Sequence, residues 1–196
     1  MKPYHLPLPR ETRRLILRTP LPTDAAAIQE ALEESFVDLH IWMDWATTLQ
    51  SIEDTRAIIK KHQANYLSAK DFTISAFLKD SGKFVLNAGL HPRNWKVPKF
   101  EIGYWCRTSM QGKGYVTEAV RELTSAAFGD MAAKRVEIRC DSRNQSSRRV
   151  AERAGYRLEA ILRCDDRAND DSIRDTAIYA LLADDLHSEV QQKGLI

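Results

Sequence analysis

Apolar residues along the chain fall into short runs whose period changes repeatedly, and each change marks an element. Leu15–Arg18 (LILR) reads as a first strand, closed off by Pro20 and Pro22. Thr23 or Asp24 then caps a helix expected to run to about Ser35. Residues 41–45 (IWMDW) form an apolar knot whose element type the pattern leaves open. From Ser51 or Thr48 a second helix reaches about Ala69, with Ile52, Ile58, Ile59 and Tyr66 as buried positions. The period then becomes two. Residues 72–78 and 83–91 read as antiparallel strands joined across Asp80, Ser81 and Gly82. A loop at 94–98 leads to a strand at 100–106 and then to a helical pattern. Beyond it come a strand at 135–140, a helix at 145–154 ended by Gly155, strands at 156–162 and 173–181, and a polar helix from about Asp184. This succession predicts an α+β (mixed α/β) architecture, a central sheet with helices on its faces.

The junction between strand 100–106 and the helix after it carries chemistry. It reads EIGYWCRTSMQGKGYVTEAVRELTSAAF over residues 101–128, with Val116, Ala119, Val120, Leu123 and Ala127 on one helical face. A strand, two nearby glycines and a helix start present bare backbone N–H groups. The first amides of a helix lack internal acceptors, its dipole adds partial positive charge, and glycine permits close approach. The segment therefore predicts a phosphate-bearing ligand. A dinucleotide fingerprint does not fit, because Thr117 stands at its third glycine, and no P-loop pattern is present. A ligand-free helix start with flexible glycines is the plainer alternative.

Composition narrows the classes. At 196 residues the chain suits one domain over 1–196, its core at about 12–186. Twenty-nine basic against 27 acidic residues give a net charge of +2, without the basic excess of a nucleic-acid-binding surface. The first residues lack an apolar signal core, and no run approaches the ~18 residues of a membrane span. Cys106, Cys140 and Cys164 are odd in number and widely spaced, which reads as reduced thiols of a cytoplasmic protein. Neither they nor the five histidines show metal-ligand spacing.

After the strand RVEIRC comes NQSSRRVAERAGY, residues 144–156. Together with the glycine segment it resembles the GNAT superfamily of acetyl-CoA-dependent N-acetyltransferases. RLILRTPLPTDA, EIGYWCR…GKGYVTEAV and LEAILR…RDTAIYALL bring it closer to the RimJ/RimL type, which acetylates ribosomal-protein N-termini. The resemblance implies a GNAT fold with a mostly antiparallel sheet of about seven strands, splayed between the fourth and fifth. It implies acetyl-CoA as cosubstrate, without metal, and an amine acceptor such as a ribosomal-protein N-terminus. The oligomeric state, monomer or homodimer, stays open.

The same resemblance assigns residues. Backbone groups at Trp105, Cys106 and Arg107 would meet pantetheine, and Gln111, Gly112, Lys113, Gly114 and Tyr115 would hold the pyrophosphate. Asn144, Ser147 and Arg148 would complete the cofactor side, with Lys113 or Arg148 neutralising phosphate. Glu101 and Asp166 are the candidate bases, and Ser147 the candidate acid, because Ala151 stands where many members carry a general-acid tyrosine. Ser109 likewise replaces the Gln or Arg usual three residues before the first glycine. Trp42 and Trp45, with Tyr66, would line the acceptor side, and the acidic run 165–171 could attract a cationic peptide. Three alternatives remain: a non-catalytic CoA-binding domain, a polyamine or aminoglycoside acetyltransferase, and, more remotely, a nucleotide-binding oxidoreductase.

Overall fold

A computed structural model describes residues 5–185. One eight-stranded sheet organises them, in the order β1-β2-β3-β4-β5-β6-β8-β7. The strands are β1 (Arg10–Glu11), β2 (Leu15–Arg18), β3 (Phe72–Leu78), β4 (Phe84–Asn94), β5 (Lys99–Cys106), β6 (Arg135–Asp141), β7 (Arg157–Arg167) and β8 (Ile173–Leu182). The two-residue β1 raises the expected count of about seven to eight. All pairings are antiparallel except β5 with β6. The helices are α1 (Ala25–Trp42), α2 (Ile52–Leu67), α3 (Tyr115–Gly129) and α4 (Gln145–Arg153).

Strand β3 and the first part of β4 bury both faces, which their near-continuous apolar runs reflect. On one side Phe72, Ile74, Leu86, Leu90, Phe100 and Ile102 pack with Ala119, Val120, Leu123 and Ala127 of α3. On the other, Phe77 and Phe84 pack with Ile28, Ala31, Leu32 and Leu39 of α1 and Ile59 of α2. A turn at residues 79–83, with Gly82 at φ 67°, closes the β3–β4 hairpin as expected. Ser51 caps α2, accepting from the Asp54 amide at 3.1 Å.

Three boundaries differ from expectation. Helix α1 runs to Trp42 instead of Ser35 and absorbs the start of the apolar knot. Its polar residues are held by tertiary partners: Glu30 and Glu34 bind Arg107, and Asp38 accepts from Thr108 at 2.8 Å. Asp24 precedes this helix without capping it, because its carboxylate is engaged by Arg18. Strand β7 continues to Arg167, since β8 offers it a partner out to Ile173. The expected terminal helix falls almost entirely outside the described residues.

Candidate active site

The parallel pairing of β5 and β6 is short. It covers Lys99↔Arg135, Phe100↔Val136 and Glu101↔Glu137, and then the strands part. Glu137 stands at the last paired position with its side chain 5 % exposed, receiving Lys99 at 2.8 Å and Arg135 at 2.6 Å. Burial opposes its charge, but these two cations prevail and hold its carboxyl below the usual range. Two cations from neighbouring strands thus fasten the closed end of the wedge. At the open end β6 keeps pairing with β8 as far as Asp141↔Thr176 while β5 departs. A cavity of about 1140 Å³ occupies the opening.

Strand parity decides which β5 groups face that opening. The Arg107 N–H donates to the Val85 carbonyl at 3.0 Å, in the same register that pairs Asn87 with Trp105. Hydrogen-bonded pairs alternate along an antiparallel ladder, so Trp105 and Arg107 direct their backbone groups at β4. The amides of Tyr104 and Cys106 point into the gap, beyond the last β5–β6 pair at Glu101 and Glu137. Of Trp105, Cys106 and Arg107, from which pantetheine contacts were expected, only Cys106 directs its backbone groups at the gap. Arg107 is turned away altogether, its guanidinium buried against Glu30 and Glu34. Trp105 lines the cavity through its indole instead.

The glycine segment leads directly into α3. Gly112 has φ 71° and Gly114 φ 80°, the left-handed region that glycine enters without strain. Among the described residues, no acceptor is bonded to the amides of residues 112–117; the first internal bond of α3 runs from Glu118 to Gly114. Gly112, Gly114, Tyr115, Val116 and Thr117 border the cavity. Six amides without acceptors at a helix start are the backbone arrangement that suits an anion. Arg14 braces it, donating to the Lys113 carbonyl at 3.0 Å, pairing with Glu118 at 2.7 Å and lying 4.3 Å over the Tyr115 ring.

Three expectations at this end need correction. The Gln111 amide is occupied by the Thr108 carbonyl at 3.1 Å, so only its side chain reaches the cavity. The Lys113 ammonium folds back onto the Ser109 carbonyl at 2.8 Å. Arg148 binds the Tyr179 hydroxyl at 3.0 Å and the Ser142 carbonyl at 3.2 Å, away from the cavity. Arg149 and Arg153 line the cavity instead. Helical spacing contained the signal: Ser146, Arg149 and Arg153 share one face, whereas Arg148 lies above the buried Ala151.

Asn144 caps α4, accepting from the Ser147 amide at 3.0 Å. That turn aims the Ser147 hydroxyl at Tyr104, whose phenol oxygen is 2.9 Å from Oγ and donates to the Ser147 carbonyl at 3.2 Å. Tyr104 escaped the sequence reading because the usual tyrosine position, Ala151, is empty of a phenol. Here a phenol arrives from β5 across the gap. Burial pushes its pKa well above the ordinary tyrosine range, so it stays protonated. Cys140 faces it from β6, also raised by burial, with a hydrogen bond from Ser147 acting in the opposite sense.

The other end of the cavity is lined by tryptophans. Trp45 sits 6.4 Å from the Trp105 ring and Phe84 5.5 Å from it, and Trp42 borders the same cavity. Tyr66 does not; its hydroxyl donates to the Leu6 carbonyl at 2.7 Å, within the core. Glu101 lines this end with Arg93 at 3.1 Å. Asp165 and Asp166 reach it from β7, bound to Arg139 at 3.1 Å and Arg174 at 2.6 Å. Hydrogen bonding from Arg174 keeps Asp166 ionised. The turn after β7 is tied to the end of α1 by Asn169, which donates to the carbonyls of His40 and Met43 at 2.8 and 2.9 Å.

Cys106 is 8 % exposed, and burial pushes its thiol up to about 12, so it is no nucleophile at neutral pH. Iodoacetamide at pH 8 is therefore expected to alkylate the exposed Cys164 and leave Cys106 untouched, as peptide mass spectrometry would show. Equal labelling of both would place Cys106 in solvent. Among the described residues, no group of three or more His, Cys, Asp or Glu side chains is arranged to hold a metal, and no helix is long and apolar enough to cross a membrane.

A splayed sheet, an open amide cradle and a helix after the gap define a class, that of acyl-group transferases acting on a pantetheine thioester. Comparison agrees: the acetyltransferase (GNAT) domain family matches residues 14–157, and the chain belongs to that family. It is an acetyltransferase with acetyl-CoA as cosubstrate. The ribosomal-protein-serine acetyltransferase of Escherichia coli is 33 % identical over 147 residues, covering 72 % of this chain and 78 % of the relative. A solved RimL ribosomal-protein α-N-acetyltransferase in complex with coenzyme A superposes with a TM-score of 0.82 at 22 % identity, covering 90 % of this chain and 98 % of that one. RimJ of Mycobacterium smegmatis, solved with a CoA disulfide, gives 0.78 at 24 %, covering 88 % and 83 %. Both show the shared fold.

Proposed function

We propose that the acceptor is the α-amine of a protein N-terminus, of the ribosomal-protein kind on which the Escherichia coli relative is named as acting. The carrying observation is the arrangement along one cavity: six open amides at one end, the Tyr104–Ser147 pair at the gap, aromatic and acidic residues at the other. The amides of Gly112 through Tyr115 hold the pyrophosphate, with Arg149 and Arg153 supplying the cationic charge first sought in Lys113 and Arg148. Cys106 and Tyr104 amides in the open edge of β5 meet pantetheine and polarise the thioester carbonyl. Ser147, backed by Tyr104, protonates the departing thiolate. Trp42, Trp45 and Trp105 pack against the first acceptor side chain. The surrounding carboxylates Glu101, Asp165 and Asp166 draw in its ammonium group. Glu101 and Asp166 are each engaged by an arginine, which suits them to electrostatic attraction better than to proton removal.

Energetics favour an α-amine. Deprotonating one of pKa 7.7–8.0 at pH 7 costs about 1 kcal/mol, against about 4.6 kcal/mol for a lysine near 10.4. A cytoplasmic location belongs to the same proposal, as does self-association through Leu158, Ile161 and Leu162, which the edge strand β7 leaves in solvent.

Incubation with acetyl-CoA and synthetic peptides differing in their first residue is expected to give acetylation at the α-amine only, read by tandem mass spectrometry. Peptides with a blocked N-terminus and free lysines are expected to stay unmodified. Modification of lysines or of polyamines in preference would overturn the acceptor assignment.

A further inference from the structure

On the acceptor face of the sheet, β4 and β5 place His91 opposite Glu101 and Gly89 opposite Gly103. The glycine pair leaves a bare trough, and the His91 imidazole lies in it. A Cβ on Gly89 would overlap the ring at Cε1 and Nε2, and one on Gly103 would stand 3.4 Å from Nε2. The side chain therefore bends away from its own register position, two residues along the strands and past the last β5–β6 pair at Glu101. His91 borders the cavity shared by Glu101 and Trp105.

The other ring nitrogen is held. Nδ1 lies 2.5 Å from Asp71 Oδ1, just ahead of β3. Burial opposes ionisation of Asp71, yet hydrogen bonding from His91 and Thr73 and the nearby imidazoles keep its carboxyl below the ordinary range. An ionised carboxylate only accepts, so Nδ1 carries the hydrogen and Nε2 is the nitrogen left to accept a proton. Thr73 Oγ1 joins Asp71 Oδ2 at 3.4 Å to His62 Nδ1 at 3.0 Å. His62 on α2 is disfavoured as a cation, chiefly by burial, so it adds little competing charge.

We propose that His91, oriented by Asp71, is the base that takes the proton from the attacking amine. The assignment rests on the N-acetyltransferase reading and supplies the proton acceptor that Glu101 and Asp166, engaged by arginines, serve poorly. In the step, the amine nitrogen bonds to the acetyl carbon and loses a proton to Nε2. The carbon–sulfur bond breaks with its electron pair on sulfur, and the thiolate takes a proton from Ser147. His91 then releases its proton to solvent and the Ser147–Tyr104 pair regains one, so nothing is oxidised or reduced. The charged and titratable groups facing the imidazole are Asp71, His62, Glu101 and Arg93.

Steady-state kinetics with acetyl-CoA and an accepted peptide test this in His91→Gln, Asp71→Asn and Gly89→Ala. His91→Gln is expected to lower kcat about 100-fold, the ordinary size of a general-base contribution, with the affinity for acetyl-CoA unchanged by calorimetry. Gly89→Ala keeps the imidazole but crowds it from the trough, and should lower kcat comparably; Asp71→Asn should lower it about tenfold. In His91→Gly, added imidazole should restore turnover, a response that a merely structural histidine would not give. Near wild-type rates in His91→Gln would overturn the assignment alone. A wild-type enzyme that binds acetyl-CoA but acetylates no amine would overturn the acceptor reading and this one with it.

Discussion

Gly114→Val is expected to weaken acetyl-CoA binding about 100-fold, a loss of roughly 2.7 kcal/mol. Gly114 stands at φ 80° immediately before α3, with Gly112 at φ 71° two residues earlier. A β-branched residue is a steric outlier in the left-handed region, at a cost of about 1–3 kcal/mol. The chain can relieve that strain only by rotating the peptides on either side, and those peptides carry the amides that face the cavity. Strain and lost anion contacts therefore act in the same direction. The added side chain also grows toward Arg14, which braces the Lys113 carbonyl and Glu118 and whose Nη2 would lie 3.5 Å from the new Cβ. Isothermal titration provides the affinity, and a thermal melt checks that the fold survives. Binding within threefold of wild type in a folded variant would mean that the amide cradle does not hold the diphosphate.

Ser147→Ala and Tyr104→Phe are each expected to lower kcat about 100-fold, and the double variant no further than either alone. The two hydroxyls are 2.9 Å apart and form one proton path. Removing either member interrupts the whole path, so the effects cannot add. Burial keeps the Tyr104 phenol protonated, which makes it a donor throughout the working pH range. Asn144 orients Ser147 through the helix cap, so Ser147→Ala leaves α4 intact. KM for acetyl-CoA should change little, because the pyrophosphate contacts lie elsewhere. Rapid-mixing measurements separate chemistry from product release. Independent, multiplicative losses would assign the two hydroxyls to separate tasks and dissolve the proposed relay.

Both expectations depend on residues that were legible to very different degrees. Gly112 and Gly114 announced themselves because a strand, a glycine pair and an amphipathic helix are contiguous in the chain. The chemistry there is backbone chemistry and needs no distant partner. Tyr104 carried no such signal. It reads as one more residue in EIGYW until the parting of β5 and β6 sets it against α4, 43 residues away. Arg148 and Lys113 were chosen by charge and motif position, but a long cationic side chain goes wherever a carbonyl or hydroxyl receives it. Here the Tyr179 hydroxyl and the Ser109 carbonyl do so.

Local periodicity and turn chemistry by themselves established most elements, the sheet-and-helix layers and the glycine-led start of α3, because those follow from neighbours within a few residues. The full reach of α1 escaped them, since Arg107 and Thr108 hold its polar face from far along the chain. Tertiary structure alone determined which β5 amides face the gap, which arginines enter the cavity and how His91 meets Asp71. These depend on strand register, where a shift of one residue reverses every face, and register is set by partners the linear chain does not display.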